Sequence, residues 1–341
     1  MNALDRLRIN PLISRLVCSA SGREVDHGGF ARPIGLCDCC PPPGKPVVVE
    51  YDLERAALGR PQKALGLWSF ADLLPVAGVP PSFAADVGLT PLVELDRWSR
   101  ELGITVLVKM EGLNPSGSFK DRGLAMGVAF GRACGAQRFC LPTQGNAGVA
   151  ASLFSARLGL PGCLVYMPEG YEDGLYHREA RYFGAEVRFH GSNIAAAGKQ
   201  MRDDVADQLA SGDYVDMSTF FEPGRLEGKN TMGLEILLDC GAEAMPDWII
   251  YPTGGGTGLV GIWKAFSELM ALGLIDPASH RLPRMVAVQG ANCAPVVDAF
   301  AAEPAKATLN ESTEDPTHRD LIRMLVHEVQ DLRARLDALE A

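Results

Sequence analysis

The chain has 341 residues, of which 47% are hydrophobic and 22% are charged, so disordered, collagen-like and purely coiled-coil proteins are excluded. At about 150 residues per domain, this length predicts two domains. Lys and Arg number 32 against 42 Asp and Glu, and the resulting net charge of −10 disfavours contact with a phosphate backbone. We therefore expect no nucleic-acid partner.

Residues 1–50 differ from the rest of the chain, since they hold four of the nine cysteines and few periodic apolar positions. We predict an irregular N-terminal segment. The nine cysteines are spaced too irregularly for a disulfide scaffold, which indicates a reducing, cytoplasmic location. The N-terminus lacks a continuous apolar segment, and no run of about 18 apolar residues follows, so secretion, a membrane span and a membrane partner are not expected.

From Leu89 onward, short apolar runs bounded by turn residues alternate with amphipathic stretches of helical length. This alternation is typical of βα units and predicts an α/β fold, with a parallel sheet covered by helices on both faces. The predicted strands are 105–109, 138–142, 162–167, 186–189, 248–251 and 285–289. Helices are predicted at 146–158 and 257–272.

The segment 114–123, NPSGSFKDRG, is a turn-rich run that ends at a predicted helix N-terminus, with Ser118 as its cap and Lys120 in its first turn. The helix dipole and partial desolvation lower the pKa of an ammonium at this position. A neutral lysine amine can form a Schiff base with an aldehyde. Solvated surface lysines are also common near helix starts, so spacing alone leaves both interpretations open.

Two further turns follow predicted strands. The segment 143–148, TQGNAG, puts the Asn146 amide where it can hydrogen-bond a ligand or cap the next helix. The segment 252–258, PTGGGTG, carries four glycines before a helix. Their amides and the helix dipole form a site suited to phosphate, and a purely structural glycine turn is the alternative.

After Ala299 the βα pattern stops, and residues 301–341 are predicted to be a polar linker followed by an amphipathic helix. Apolar residues recur at intervals of 3, 4, 3, 4 and 3 from Ile322 to Leu339, which is an a/d heptad pattern. The helix either lies on the protein's own surface or joins subunits as a short coiled coil.

Together the three segments resemble the fold type II family of pyridoxal phosphate enzymes, in which the lysine run, an asparagine loop and GGGTG follow in this order. Within that family the chain is most similar to the threonine synthases. The similarity is carried by the runs 89–92 (LTPL), 109–115 (KMEGLNP), 225–231 (RLEGKNT) and 251–261 (YPTGGGTGLVG). It covers roughly residues 10 to 300.

The resemblance implies two open, mostly parallel sheets flanked by helices, with the cofactor in the cleft between two α/β units. A large pyridoxal phosphate-binding domain is expected at 51–134 and 221–300, and a small α/β domain at 135–220. They lie between the irregular segment 1–50 and the linker and helix 301–341.

The resemblance also implies roles for individual residues. Lys120 would be the Schiff-base lysine, Phe119 would pack near the cofactor ring, and Asn146 would bond the cofactor's 3′-oxygen. The residues that would hold the cofactor phosphate are Gly254, Gly255, Gly256, Thr257 and Gly258. Those expected close to the substrate are Ser116, Ser118 and Arg225.

The activity implied is that of a lyase that converts a small amino acid, O-phosphohomoserine, with water to threonine and phosphate, while Lys120 moves the protons. Three alternatives remain open: a related serine/threonine dehydratase, a β-replacement enzyme, and a truncated, non-catalytic relative that acts as a partner subunit. A homo-oligomer is expected, with the 316–341 helix as a candidate contact between the subunits.

The N-terminal cysteines depart from the family, in which paired cysteines can resemble a zinc knuckle. Ser21 stands where a Cys-x-x-Cys partner of Cys18 would fall. The other candidate ligands in this segment are Cys37, Cys39, Cys40 and His27. Three or four thiolates with a histidine can bind zinc, but the spacing favours a lost knuckle, and we assign no metal ligand.

Two other departures concern the substrate and the C-terminus. Glu222 is acidic and is expected to repel a phosphorylated substrate. The family's last helix and strand region, which supplies a hydroxyl partner for the pyridine nitrogen, is expected to be missing.

Overall fold

The computed structural model describes residues 7–276, 278–291, 294 and 296–297. The linker and heptad helix predicted at 301–341 lie outside the described residues and stay a prediction. Among the helices within these ranges, none is both long and apolar enough to cross a membrane.

The described residues form twelve strands and nine α-helices. The strands are β1 (Arg8–Ile9), β2 (Ile13–Cys18), β3 (Val47–Tyr51), β4 (Val76–Gly78), β5 (Leu92–Glu94), β6 (Leu107–Lys109), β7 (Arg138–Pro142), β8 (Leu164–Met167), β9 (Glu186–Phe189), β10 (Tyr214–Asp216), β11 (Trp248–Pro252) and β12 (Arg284–Val288). The helices are α1 (Pro81–Ala84), α2 (Asp96–Leu102), α3 (Lys120–Ala133), α4 (Asn146–Arg157), α5 (Leu175–Tyr182), α6 (Ile194–Asp204), α7 (Ala206–Ser211), α8 (Gly224–Cys240) and α9 (Thr257–Ala271).

Four parallel strands form the largest sheet, in the order β10–β7–β8–β9. Strand β8 is buried along its whole length, as expected for a parallel strand covered on both faces. Strands β11 and β12 form a second parallel pair. The remaining pairs, β1–β4, β2–β3 and β5–β6, are antiparallel. The predicted α/β fold with parallel sheets flanked by helices is confirmed.

The N-terminal segment contains the antiparallel pair β2–β3, in which Cys18 lies opposite Val47. Val47, Val49 and Tyr51 are buried on one face of β3, so the strand alternates as a half-buried strand should. The sequence predicts this segment as irregular and does not predict the pair. Each strand is short, and a long loop separates the two, so no turn signal joins them.

Three apolar clusters form the core of the described residues, a small one between α6 and the four-stranded sheet and two large ones. One packs α3 and α4 against the four-stranded sheet, around Phe139 and Phe154. The other packs α8 and α9 against β2 and β3, around Leu234 and Phe266. The predicted boundaries between a large and a small domain stay a prediction.

The carboxyl edge of the four-stranded sheet gathers several helix N-termini. Helix α4 follows β7 and α8 follows β10, and because β7 and β10 are parallel, both helices begin at this edge. The first turns of α3 and α8 also meet, since a Cβ on Gly123 would lie 2.8 Å from the backbone oxygen of Arg225. Ligands of open α/β sheets bind at such an edge.

Candidate active site

Lys120 is the first residue of helix α3, as the sequence predicts. The Ser118 hydroxyl accepts a hydrogen bond from the Lys120 backbone N–H at 3.2 Å, although Phe119 rather than Ser118 occupies the N-cap position. The Lys120 ammonium lies 3.8 Å from the centroid of the Phe119 ring. Burial, and then the charge of Arg225, lower the pKa of Lys120 to about 8.

This lowered pKa predicts an unusually reactive amine at Lys120. Only the neutral amine attacks an aldehyde, so reductive methylation of the cofactor-free protein with formaldehyde and cyanoborohydride should rise with pH and level off above about 8 at Lys120. At pH 8 the neutral fraction exceeds that of an ordinary lysine roughly a hundredfold. Peptide mass spectrometry across a pH series measures the extent of methylation at each lysine. Exposed Lys199 is the internal control, and equal rates at the two lysines would contradict the prediction.

The glycine turn lies between β11 and α9. Gly254 and Gly255 are exposed, and a Cβ on Gly254 would meet nothing within 4 Å, so the turn borders open space. A Cβ on Gly255 would lie 2.4 Å from Thr219, which places the turn beside the loop that follows β10. Gly256 has a φ of +87°, a conformation that glycine adopts without strain. The unpaired amides of the first turn of α9 add an anion-binding character.

Lys229, for which the sequence pattern predicts no role, also lies beside Thr257 of this turn. It is fully buried on α8, donates a hydrogen bond to the Thr257 hydroxyl, and lies 5.0 Å from the centroid of the Phe119 ring. Burial, and then the charges of Arg225 and Lys120, hold its pKa well below the ordinary range. The available signal was its position four residues after Arg225, which puts both cations on one face of α8.

Arg225 is buried and donates a hydrogen bond to the Met217 carbonyl at the end of β10, while its Nε has no partner among the described residues. Glu222 accepts a hydrogen bond from the Arg225 backbone N–H at 3.0 Å. Burial raises the pKa of Glu222 to about 7, although the charge of Arg225 opposes the shift. Glu222 therefore binds the start of α8 and offsets only part of the positive charge of Arg225.

Tyr251 contacts Phe119, the ring against which the Lys120 ammonium lies. Its ring packs edge-to-face on Phe119, with centroids 5.6 Å apart, and its buried hydroxyl has no partner among the described residues. A Cβ on Gly258 would lie 1.8 Å from this hydroxyl, so only glycine fits there. An unpaired buried hydroxyl is costly, which favours a ligand at this position.

Ser116 and Asn146 are the remaining site residues predicted from the sequence. The Ser116 N–H donates to the Asp121 carboxylate at 2.6 Å, and the Ser116 hydroxyl bonds the same group. Asn146 is the first residue of α4, where Gly145 occupies the cap position. Asn146 shares the carboxyl edge of the sheet, but in the described part of the chain no hydrogen bond links it to the other predicted site residues. Its contact with a ligand stays a prediction.

The donor set fits an aldehyde-bearing phosphate ester such as pyridoxal phosphate. Lys120, Arg225 and Lys229 are three basic side chains gathered beside one carboxyl, Glu222, and burial lowers the pKa of all three. A phosphate dianion beside them would favour their protonated forms. The open glycine turn offers amides for the phosphate, and the amine of Lys120 is available for the aldehyde.

Comparisons with known proteins agree with this chemistry. A family model described as pyridoxal-phosphate dependent enzyme matches residues 84–336, which runs past residue 300, where the resemblance noted in the sequence ends. The threonine synthase of Methanocaldococcus jannaschii is 33% identical over 242 residues, which cover 70% of this chain and 56% of that protein. The threonine synthase of Methanosarcina acetivorans is 31% identical over 269 residues, which cover 78% of this chain and 62% of that protein.

The chain thus spans 56% and 62% of the length of these two curated relatives. Among solved structures, maize serine racemase superposes with a TM-score of 0.52 at 17% identity, and the match covers 69% of this chain and 70% of that chain. This likeness concerns the fold alone.

Proposed function

The chain belongs to the pyridoxal-phosphate dependent enzyme family, and from this membership we propose that it is a carbon–oxygen lyase of the threonine synthase type. It would convert O-phosphohomoserine and water to threonine and phosphate. The observation that carries the proposal is the group of three basic side chains, Lys120, Arg225 and Lys229, beside the glycine turn. The two relatives named threonine synthase support the choice of substrate.

When bound, pyridoxal phosphate supplies the electron sink that makes a Cα–H acidic. In this proposal Lys120 would bind the cofactor's aldehyde, Phe119 would pack near its ring, and Asn146 would bond its 3′-oxygen. The phosphate would be held by Lys229 and by the turn residues Gly254, Gly255, Gly256, Thr257 and Gly258.

Lys120 then serves as the proton carrier for the substrate's Cα and Cβ. With a pKa of about 8, its amine exchanges a proton readily near neutral pH, as a general acid–base group must. Arg225 would bind the anionic end of the substrate, since its Nε has no protein partner among the described residues. Ser116 and Ser118 would lie beside it. The Arg225 charge outweighs the partly neutral Glu222, so Glu222 does not prevent binding of a phosphorylated amino acid.

The test is product analysis with the cofactor-loaded protein. Phosphate and threonine should appear in equal amounts from O-phosphohomoserine, and Arg225→Met should raise KM for that substrate at least about tenfold. Keto acids formed from serine or threonine, without phosphate release from O-phosphohomoserine, would instead identify a dehydratase. If none of these substrates reacts, a non-catalytic relative remains. An exposed arginine variant, Arg97→Met, is the matched control.

Assembly and location form part of the same proposal. The 316–341 helix, with its heptad pattern, would join identical subunits, and the protein would work in the cytoplasm. Size-exclusion chromatography with light scattering, with and without residues 316–341, tests the first point.

A further inference from the structure

We propose that Cys18, Cys37, Cys39 and Cys40 form a tetrathiolate site for one divalent metal ion of the zinc class. Their four sulfur atoms all lie within 4.8 Å of one another. The Cys18 sulfur is 3.4 Å from that of Cys37 and 3.6 Å from that of Cys40. The cysteine spacing in the sequence favours a lost knuckle, so the tertiary arrangement of the four sulfurs, and not the spacing, assigns this site.

The sulfur separations suit a single ion better than a disulfide. In a tetrahedral zinc site with bonds of about 2.3 Å, neighbouring sulfurs lie about 3.8 Å apart. A disulfide needs about 2.05 Å. The four cysteines are free thiols, and both measured separations fall close to the tetrahedral value. A set of four sulfur ligands favours zinc over the harder divalent cations.

One Cys-x-x-Cys pair, Cys37 and Cys40, supplies two of the four thiols, and Cys18 and Cys39 supply the others. Cys18 ends strand β2, and Cys37, Cys39 and Cys40 lie in the loop that leads to β3. The β2–β3 pairing brings this loop back over the end of β2. Ser21, which replaces the expected cysteine, lies 3.4 Å from the Cys39 sulfur as a hydrogen-bonding neighbour. Cys40 therefore supplies the fourth thiol, and His27 is outside the group of four.

The surroundings of the sulfurs also suit a bound ion. The Lys45 backbone N–H donates to the Cys37 sulfur at 3.3 Å, a contact that supports a metal-bound sulfur. Cys39 and Cys40 are only half-buried, which leaves an entry path for the ion.

The metal would fasten the N-terminal segment to the helix that carries the site. Cys18 and Cys37 lie in the same apolar cluster as Leu226 of α8. Tyr51 of β3 donates a hydrogen bond to Glu227 of α8 at 2.9 Å. Glu227 lies between Arg225 and Lys229 in the sequence. By ordering the N-terminal segment that contacts Glu227, the ion would stabilise the part of α8 that carries these two side chains.

Metal analysis of the full chain tests the proposal without any enzyme assay. Protein purified from zinc-containing medium should hold one zinc ion per chain by native mass spectrometry and elemental analysis. Cobalt-substituted protein should show the intense sulfur-to-cobalt absorption of a four-sulfur site. A mercurial that titrates thiols should release the zinc as these four cysteines react.

Two variants assign the ligands. Cys37→Ser should lower zinc content at least tenfold, whereas Cys240→Ser, at a half-buried cysteine outside the group, should leave it unchanged. The wild-type measurements decide the question even if Cys37→Ser fails to fold. A chain that takes up no stoichiometric zinc after reduction and metal loading would overturn the proposal, as would intact masses that reveal a disulfide among these cysteines.

Discussion

Lys120→Ala is expected to lower turnover at least about a thousandfold, because it removes both the covalent anchor of the cofactor and the proton carrier. Its amine lies against Phe119 and has a pKa of about 8, and an alanine side chain can neither bind an aldehyde nor carry a proton. Steady-state phosphate release from O-phosphohomoserine measures the loss. Borohydride reduction in the presence of pyridoxal phosphate should label wild-type Lys120 and leave the variant without a label at this site.

Lys199→Ala is the matched control, since Lys199 is exposed and forms an ion pair with Asp203 on the same helix. It should keep wild-type activity. Lys229 is the informative comparison, because it is the second lysine beside Phe119. If the label and the activity persisted in Lys120→Ala but disappeared in Lys229→Ala, the assignment of the reactive lysine would be wrong.

Arg122→Met should destabilise the protein by about 3–5 kcal/mol, because it leaves the buried Glu235 and the half-buried Glu111 without their main partner. Arg122 is fully buried and forms ion pairs of 2.6 Å with both Glu111 and Glu235. Its charge holds the pKa of both carboxyls below the usual range even though burial opposes this. The shift of the urea unfolding midpoint, followed by circular dichroism, measures the change.

The matched control is Arg97→Met, at an exposed pair with Glu101 one helical turn away, which should cost less than about 0.5 kcal/mol. A second variant separates lost charge pairing from poor packing. Adding Glu235→Gln to Arg122→Met should recover part of the stability, since one buried negative charge is removed. Equal destabilisation by the two methionine variants would contradict this account of the network.

The parts of the site that alternate with strands were predictable from the sequence. Apolar runs at 138–142 and 248–251 are followed by small, turn-forming residues and then by helices, and the structure has β7, α4, β11 and α9 at these positions. Such local patterns predict strands and helices, because apolar residues recur with a different period in each. Lys120 could be located at a helix start for the same reason.

The features that depend on distant contacts were not predictable. Nothing next to Lys229 in the sequence indicates that Thr257 will lie within hydrogen-bond reach. Similarly, Cys18 and Cys40 meet only because β2 pairs with β3. The three-residue strand β10 is too short to carry a periodic pattern, yet its carbonyl end receives Arg225. Such contacts are set by tertiary packing, which overrides local propensity.

Helix α8 connects all of these features. Its Arg225 and Lys229 face the lysine site, Glu227 bonds Tyr51 of the N-terminal pair, and Glu235 bonds Arg122. These contacts are distributed along three turns of one helix, so that helix cannot fray without losing them together. We expect its amides to exchange with solvent only in the slowest, cooperative opening of the chain, and the amides of β3 to exchange with the same free energy. Residues 13–51 would then belong to the same folding unit as α8.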